Sequence, residues 1–431
     1  GFGRTGTVDW QTGDIKTATF TAESGKGYFC NTTSGGFEVD LPAGSAGAIV
    51  SVQDYANTFS SNAITIDPNG SEKINGGIAG GAVSLSTMGE GLTLVYIDST
   101  IGWRSVQDNE FSDAATNFIS ATGGTITNTP TCRIHTFTGP GSFTVSGTAI
   151  CAANNAVSYL VVAGGGAGGG SYAGGGGGAG GFRELKTPVA PYTASPLDGY
   201  PSSPNRIVVL AQSYPITVGA GGTGIPGTCN SNRGGTGGVS TFSTITSAGG
   251  GGGGGGGNSN RPINPGGAGG SGGGGMGNCG TASGSGGAGN TPPVTPPQGQ
   301  NGGGSSTSGP AYGGGGGGGA GGVGGTGSNT GYGSGGVGVS TQITGSAVSY
   351  AGGAGNGTLT PYPAPDGGGG ASPCGTGGAG GGGGSPAATG GDGGDGTTNR
   401  GGGGGGGSAQ PTPAASGNGG SGVVIIRYKI A

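Results

Sequence analysis

The chain has 431 residues, 124 of them glycine and 25 proline, with only 7% charged and a net charge of −4. Glycine at about four times its usual share, without a three-residue proline period, excludes collagen, and the scarcity of charge runs against the charge-rich composition of disordered chains. The basic residues form no cluster and no apolar run reaches the ~18 residues of a membrane helix, so neither nucleic-acid binding nor membrane insertion is expected.

The glycines are unevenly placed: residues 1–160 have the texture of an ordinary β-protein, and nearly all long glycine runs follow Ala163. Residues 1–22 hold Trp10 and one alternating stretch at 17–21, and read as an attachment or oligomerisation arm. No signal-peptide pattern opens the sequence. A start at Gly1 fits trimming of an initiator Met, the expectation for a chain made in the cytoplasm and not exported by the general secretory route.

Over 23–108, short segments rich in β-branched and aromatic residues recur at 28–31, 37–41, 48–53, 63–67, 83–86, 92–98 and 103–106. Turn clusters such as Asp67-Pro68-Asn69-Gly70 separate them, which predicts a small β-sandwich or meander. Helical periodicity is absent. Residues 109–158 read as a linking β segment, with alternation at 132–138 and 142–147 around Gly139-Pro140-Gly141 giving a hairpin-like signal.

The last region, 159–431, opens with an apolar strand over 157–163 and closes with another over 422–428. These two are expected to pair, so that the glycine-rich region is a closed domain. Further strands are expected within 207–210, 214–218, 239–245 and 339–350. The stretches beginning Val239-Ser240-Thr241 and Val339-Ser340-Thr341 form a loose internal repeat.

Between the strands lie glycine tracts at 174–178, 249–257, 313–319, 380–384 and 401–407. Glycine has no side chain to bury, but each residue keeps one N–H donor and one C=O acceptor. In an extended threefold helix of the polyproline II type those groups point outward without internal partners. Without a Cβ, such helices can approach closely enough to bond one another on several sides. The predicted fold class is therefore all-β, with a small β-sandwich or meander followed by packed polyglycine II helices bracketed by strands. Interior helices must be nearly pure glycine, and outer ones can read Gly-Gly-X with X facing out.

The residues Lys26 to Gly36, Val39-Asp40-Leu41-Pro42-Ala43, Gln53 to Phe59, and 93–98 with Gly102-Trp103 resemble a module of marine bacteriophage structural proteins. The stretch from Ile134 to Val145, with Tyr159 to Gly166 and the strand over 422–428, resembles the entry, opening and close of a phage glycine-rich domain. Glycine-rich adhesins that cap long tail fibres are similar in using polyglycine II sandwiches whose variable loops touch host receptors. The resemblance covers about 20–110 and 130–431. It implies a protein of the virion surface, whose partners are a host receptor (a glycan or an outer-membrane protein), other virion proteins, and copies of itself, a trimer being favoured. A capsid-decoration or filament subunit without a specific receptor is the alternative.

Chemistry-bearing motifs are few. Matches to GxGxxG are frequent but carry no information in such a composition, since no strand-turn-helix context surrounds them. Residues 390–397 read GGDGGDGT, near a calcium-binding β-roll repeat, but the motif occurs once and has Thr where that repeat takes a large apolar residue. His135, the sole histidine, lies in an alternating strand and reads as a packed or hydrogen-bonded residue. Asp67 and Asp54 read as turn residues. The cysteines, Cys30, Cys132, Cys151, Cys229, Cys279 and Cys374, form no CxxC, so a zinc site is not expected. Cys132 and Cys151 flank a predicted strand pair; either they bridge or they are buried free thiols, the reading favoured here. No enzymatic constellation, cofactor or metal is expected.

The inserts at 186–206, 291–312 and 358–366 carry Tyr192, Tyr200, Tyr312 and Tyr362 among prolines. Tyr in stiffened loops gives rigid amphipathic contact area at low entropy cost, so these four are the candidate binding residues. The competing reading is that the loops merely connect glycine helices and fold their tyrosines onto the bundle.

Overall fold

The computed structural model describes residues 8–106, 118–149, 151–170, 173–227, 232–256, 264–277, 283–308, 312–357, 391–408 and 414–430. Outside them lie Tyr362, the glycine run 380–384, Cys229, Cys279 and Cys374, part of the arm and part of the linking segment. The chain forms two compact units, Gly1–Ser120 with Gly147–Ala152, and Ala121–Ser146 with Ala153–Ala431.

The first unit is β throughout: β1 (Asp9–Trp10), β2 (Phe20–Thr21), β3 (Lys26–Cys30), β4 (Glu38–Asp40), β5 (Ile49–Asp54), β6 (Ile64–Asp67), β7 (Val83–Leu85), β8 (Gly91–Asp98) and β9 (Gly102–Ser105). One sheet runs β1-β3-β5-β8-β9 and the other β2-β4-β6-β7. The sandwich is as expected, but its path is not a meander. Strands β1 to β6 alternate between the two sheets and pair in parallel within each, as in Lys26↔Val50 and Val39↔Ile66. Only β7, β8 and β9 return antiparallel. The crossover that joins two parallel strands is here simply a strand of the opposite sheet. A meander and such a coil share the same strand spacing, so composition could not separate them. Residues 9–21, expected to be an arm, supply the first strand of each sheet.

The two-residue alternation sends Val39, Val50, Val52, Ile64, Ile66, Leu85, Leu92 and Leu94 into one core, closed by Phe59 and Trp103, each fully buried. Asp54 ends β5 at 5% exposure. Its carboxylate accepts the N–H groups of Ala56, Thr58, Phe59 and Gly89 at 3.0–3.3 Å. That is the turn role expected of it.

The second unit contains β10 (Ser120–Thr122), β11 (Thr125–Asn128), β12 (Cys132–Phe137), β13 (Gly141–Gly147), β14 (Ala156–Val162), β15 (Phe182–Leu185), β16 (Ile207–Val208), β17 (Ser213–Thr217), β18 (Ser240–Phe242), β19 (Ile245–Ser247), β20 (Val339–Thr341), β21 (Val348–Tyr350) and β22 (Val423–Lys429). The expected pairing of the two bracketing strands is present: β14 and β22 run antiparallel from Ser158↔Arg427 to Val162↔Val423. β22 is central in the sheet β11-β12-β22-β14-β15, with β12 on its other side. The two repeated stretches form matching hairpins, β18 with β19 and β20 with β21.

The hairpin expected around Gly139-Pro140-Gly141 is not formed. β12 pairs with β11 and β22, whereas β13 joins the other sheet, β10-β13-β17-β18-β19. Both edges of β12 are taken, so the turn acts as a corner between sheets. The hairpin of this segment is β11–β12, and its residues Ala121–Ser146 belong to the glycine-rich unit.

The glycine runs carry a three-residue hydrogen-bond period. The N–H groups of Gly164, Ala167 and Gly170 donate to Gly238, Gly235 and Asn232; those of Gly165 and Gly168 to Gly420 and Gly417; those of Gly166 and Gly169 to Gly178 and Gly175. Each neighbour is met once per three residues, with partner numbers falling by three, which marks a threefold helix beside antiparallel neighbours. The carbonyls of the same run accept from Gly250 and Gly253, from Gly404 and Gly407, and from Gly222. This run therefore has six neighbours, the number of a hexagonal lattice. Run 174–181 also has six, at 401–407, 248–254, 315–318, 163–169, 271–274 and 354–357.

The requirement for glycine here is steric. No glycine of 164–169 or 174–178 has positive φ, so the backbone itself would accept any L-residue. A Cβ on Gly165 would instead lie 2.0 Å from the Gly402 carbonyl oxygen, and one on Gly168 would lie 2.0 Å from that of Gly405.

Candidate recognition surface

The lattice has two ends. At the sheet end its runs lead into β14, β15, β18, β20 and β22, and here lie the insert 186–206, the loop 290–298 and the β20–β21 hairpin. At the far end, neighbouring runs lie antiparallel and level, as in Ser306 N to Gly313 O and Ala414 N to Ser408 O. Further bonds at this end are Gly170 N to Asn232 O, Gly277 N to Ala173 O and Asn264 N to Gly255 O. A described turn at 328–331, closed by Ser328 N to Gly331 O, lies at the same end, where Ser328 O accepts from Gly313 N.

The candidate tyrosines divide between the two ends. Tyr192 packs against the core formed by β14, β22 and the β20–β21 hairpin. The Arg427 guanidinium lies 5.3 Å from its ring centroid and the Lys186 ammonium 5.9 Å. Burial, with Glu184 nearby, pushes its phenol above the ordinary value of 10.0. Tyr200 lies in the same insert at 46% exposure. Tyr312 is half-buried at the far end, with φ of 45°, beside Gly277 and Ala173. Tyr362 lies outside the described residues, in the segment joining Gly357 to Gly391, both far-end residues.

The sheet-end insert is clamped rather than free. Glu184, 3% exposed, accepts the Ser195 N–H at 2.9 Å and the Thr341 hydroxyl. Burial raises its carboxyl above 4.5. Arg427 donates to the Ile343 and Pro191 carbonyls, Thr193 O accepts from Gln342 N, and Asn205 donates to Thr295 O of the neighbouring loop. Sequence reading missed this buried polar cluster. The available signal was a Phe-Arg-Glu-Leu strand carrying two charges directly after a glycine run.

The other single residues behave structurally. His135 is fully buried; its Nδ1 donates to Gly123 O at 2.6 Å and its Nε2 accepts from the Tyr428 hydroxyl at 3.1 Å. The Gly123 carbonyl can only accept, which fixes the tautomer. Burial holds the imidazole below 6.5. Cys30 and Cys132 are buried free thiols and Cys151 is an exposed one, so Cys132 and Cys151 do not bridge. Of the GGDGGDGT motif, Asp392 and Asp395 accept backbone N–H groups of a neighbouring run. In the first unit Glu38, Asp40 and Asp67 bring three carboxylates within 4.8 Å across β4 and β6; neighbouring acidic groups keep Glu38, already raised by desolvation, above 4.5.

The family model of glycine-rich domains matches residues 136–429, more than half of the chain and nearly all of the second unit. The chain belongs to the glycine-rich domain family. That span starts on β12 and ends on β22, two strands paired with one another, and so takes in both bracketing strands, β14 and β22. No curated protein matches the chain.

Proposed function

We propose that this glycine-rich domain protein is a bacteriophage virion protein, a tail-fibre or adhesin subunit, whose lattice presents its far end to the host surface. The observation that carries the reading is that antiparallel glycine runs lie level with one another at the lattice end opposite the sheets, together with the described turn 328–331. A lattice cross-linked by backbone hydrogen bonds is a stiff support, and sequence changes beyond the ends of its runs leave its repeating interior untouched. The first unit then serves attachment to other virion proteins or self-association, and the candidate contact at the far end is Tyr312, with Tyr362 a further candidate from the sequence. The resemblance to phage structural modules, carried by Lys26–Gly36, Val39–Ala43, Gln53–Phe59, 93–98, Gly102-Trp103, Ile134–Val145, Tyr159–Gly166 and 422–428, supports the same reading.

The test is adsorption. Purified chain is titrated onto candidate host cells before phage is added. Saturable binding that blocks adsorption, lost on replacing residues 358–390 by a short Gly-Ser linker, supports the reading. Folded protein that neither binds nor blocks contradicts it and favours a decoration or filament subunit.

A further inference from the structure

We propose a second binding site, at the sheet end of the glycine-rich unit, for an acidic saccharide. A cleft of about 300 Å³ opens between the β12–β22 sheet face, the β20–β21 hairpin and the turn residues 398–400. That volume is at the small end of ligand pockets and suits a single sugar ring. Its polar lining consists of Thr136, Thr138, Thr344, Thr398, Asn399 and Arg400, and its floor is apolar, with Val348 and Ile425.

Arg400 decides the charge of the ligand. Its guanidinium lies over the buried Tyr350 ring, 4.8 Å from the centroid. Among the described residues the only ion pairs are Lys16–Asp14 and Lys26–Glu23, so no carboxylate neutralises it. A half-buried guanidinium with no described carboxylate as counter-ion is matched by a carboxylate ligand, which it can hold through two parallel N–H···O bonds. The hydroxyl-rich walls both donate and accept, as the hydroxyls of a sugar require, and the apolar floor receives the C–H face of a ring.

The site does not depend on the far-end recognition proposed above, because it lies at the opposite end of the lattice and is read with a different probe. Isothermal titration of the full chain with D-glucuronate, D-glucose and acetate tests it. The expected result is saturable binding of glucuronate, with glucose and acetate each at least about tenfold weaker, the scale of losing one charged hydrogen-bond pair. Arg400→Gln weakens glucuronate by about tenfold or more and Arg400→Lys by less. Because Arg400 also lies over Tyr350, Thr398→Val on the exposed rim is the second variant, with about threefold weaker binding expected. Absence of saturable glucuronate binding by folded protein, equal binding of glucose or acetate, or unchanged affinity in Arg400→Gln would overturn the site.

Discussion

The carboxylate of Asp395 accepts the backbone N–H of Asn418 at 2.7 Å. One threefold turn earlier, Asp392 accepts that of Ala415 at 2.8 Å, and both pairs are separated by 23 residues. The Gly-Gly-Asp spacing thus puts two carboxylates on one side of an extended helix, where they replace carbonyls that an outer run lacks. Asn418 repeats the device, accepting from Gly224 N, as does Ser416 from Ile225 N. The motif that superficially matched a calcium repeat is rim chemistry of the lattice. Asp395→Ala is expected to lower stability by about 0.5–1.5 kcal/mol in chemical unfolding, with no dependence on added calcium. A large stabilisation of the parent chain by calcium, lost in the variant, would contradict this.

The steric rule for interior glycines has an internal control. At Gly165 a Cβ would strike the Gly402 carbonyl at 2.0 Å, whereas at Gly304 the nearest atom is 3.8 Å away. Gly165→Ala should cost about 1–3 kcal/mol or more through overpacking and broken lattice bonds. Gly304→Ala should stay within about 0.5 kcal/mol of the parent. Equal effects in urea unfolding would show that the lattice is not tightly packed.

Asp54 links the first unit to pH. Desolvation raises its carboxyl, but the N–H groups of Phe59, Gly89, Thr58 and Ala56 outweigh it and hold the group below 3.8. A depressed folded value means that the stabilisation is complete above the unfolded value near 3.8 and is lost as pH falls through the folded value. Asp54→Asn should cost about 1–3 kcal/mol at neutral pH and little at about pH 2. A cost that is independent of pH would contradict the assignment.

Thiol reactivity separates the described cysteines. Burial pushes Cys30 up to about 12, and Cys132 is also fully buried, whereas Cys151 is exposed. Native alkylation followed by mass spectrometry should label Cys151 and spare Cys30 and Cys132 until the protein is unfolded.

Much of the fold is legible in the sequence because it depends on side chains. The alternation at 64–67 and the apolar runs at 157–163 and 422–428 announce strands, and the latter two pair as their bracketing positions imply. What is hidden follows from glycine itself. A run such as 164–170 has no side-chain pattern to report which neighbour each N–H meets, so the six-neighbour register and the division of inserts between two ends are invisible beforehand. Hence Tyr192 and Tyr312 look equivalent in sequence yet lie at opposite ends of the lattice, the first packed onto the core. Arg400 gives no motif because its meaning arises from Tyr350 and the β20–β21 hairpin, distant in sequence.

The central claim is that the glycine runs are hydrogen-bonded threefold helices. Amide hydrogen exchange over 163–181 tests it directly, because nearly every N–H there donates to another run. Exchange as slow as that of β22, persisting for hours, is the result expected of lattice amides that open only with the whole unit. Exchange within seconds, in protein whose β22 remains protected, would mean that the glycine runs are unbonded chain and would contradict the account.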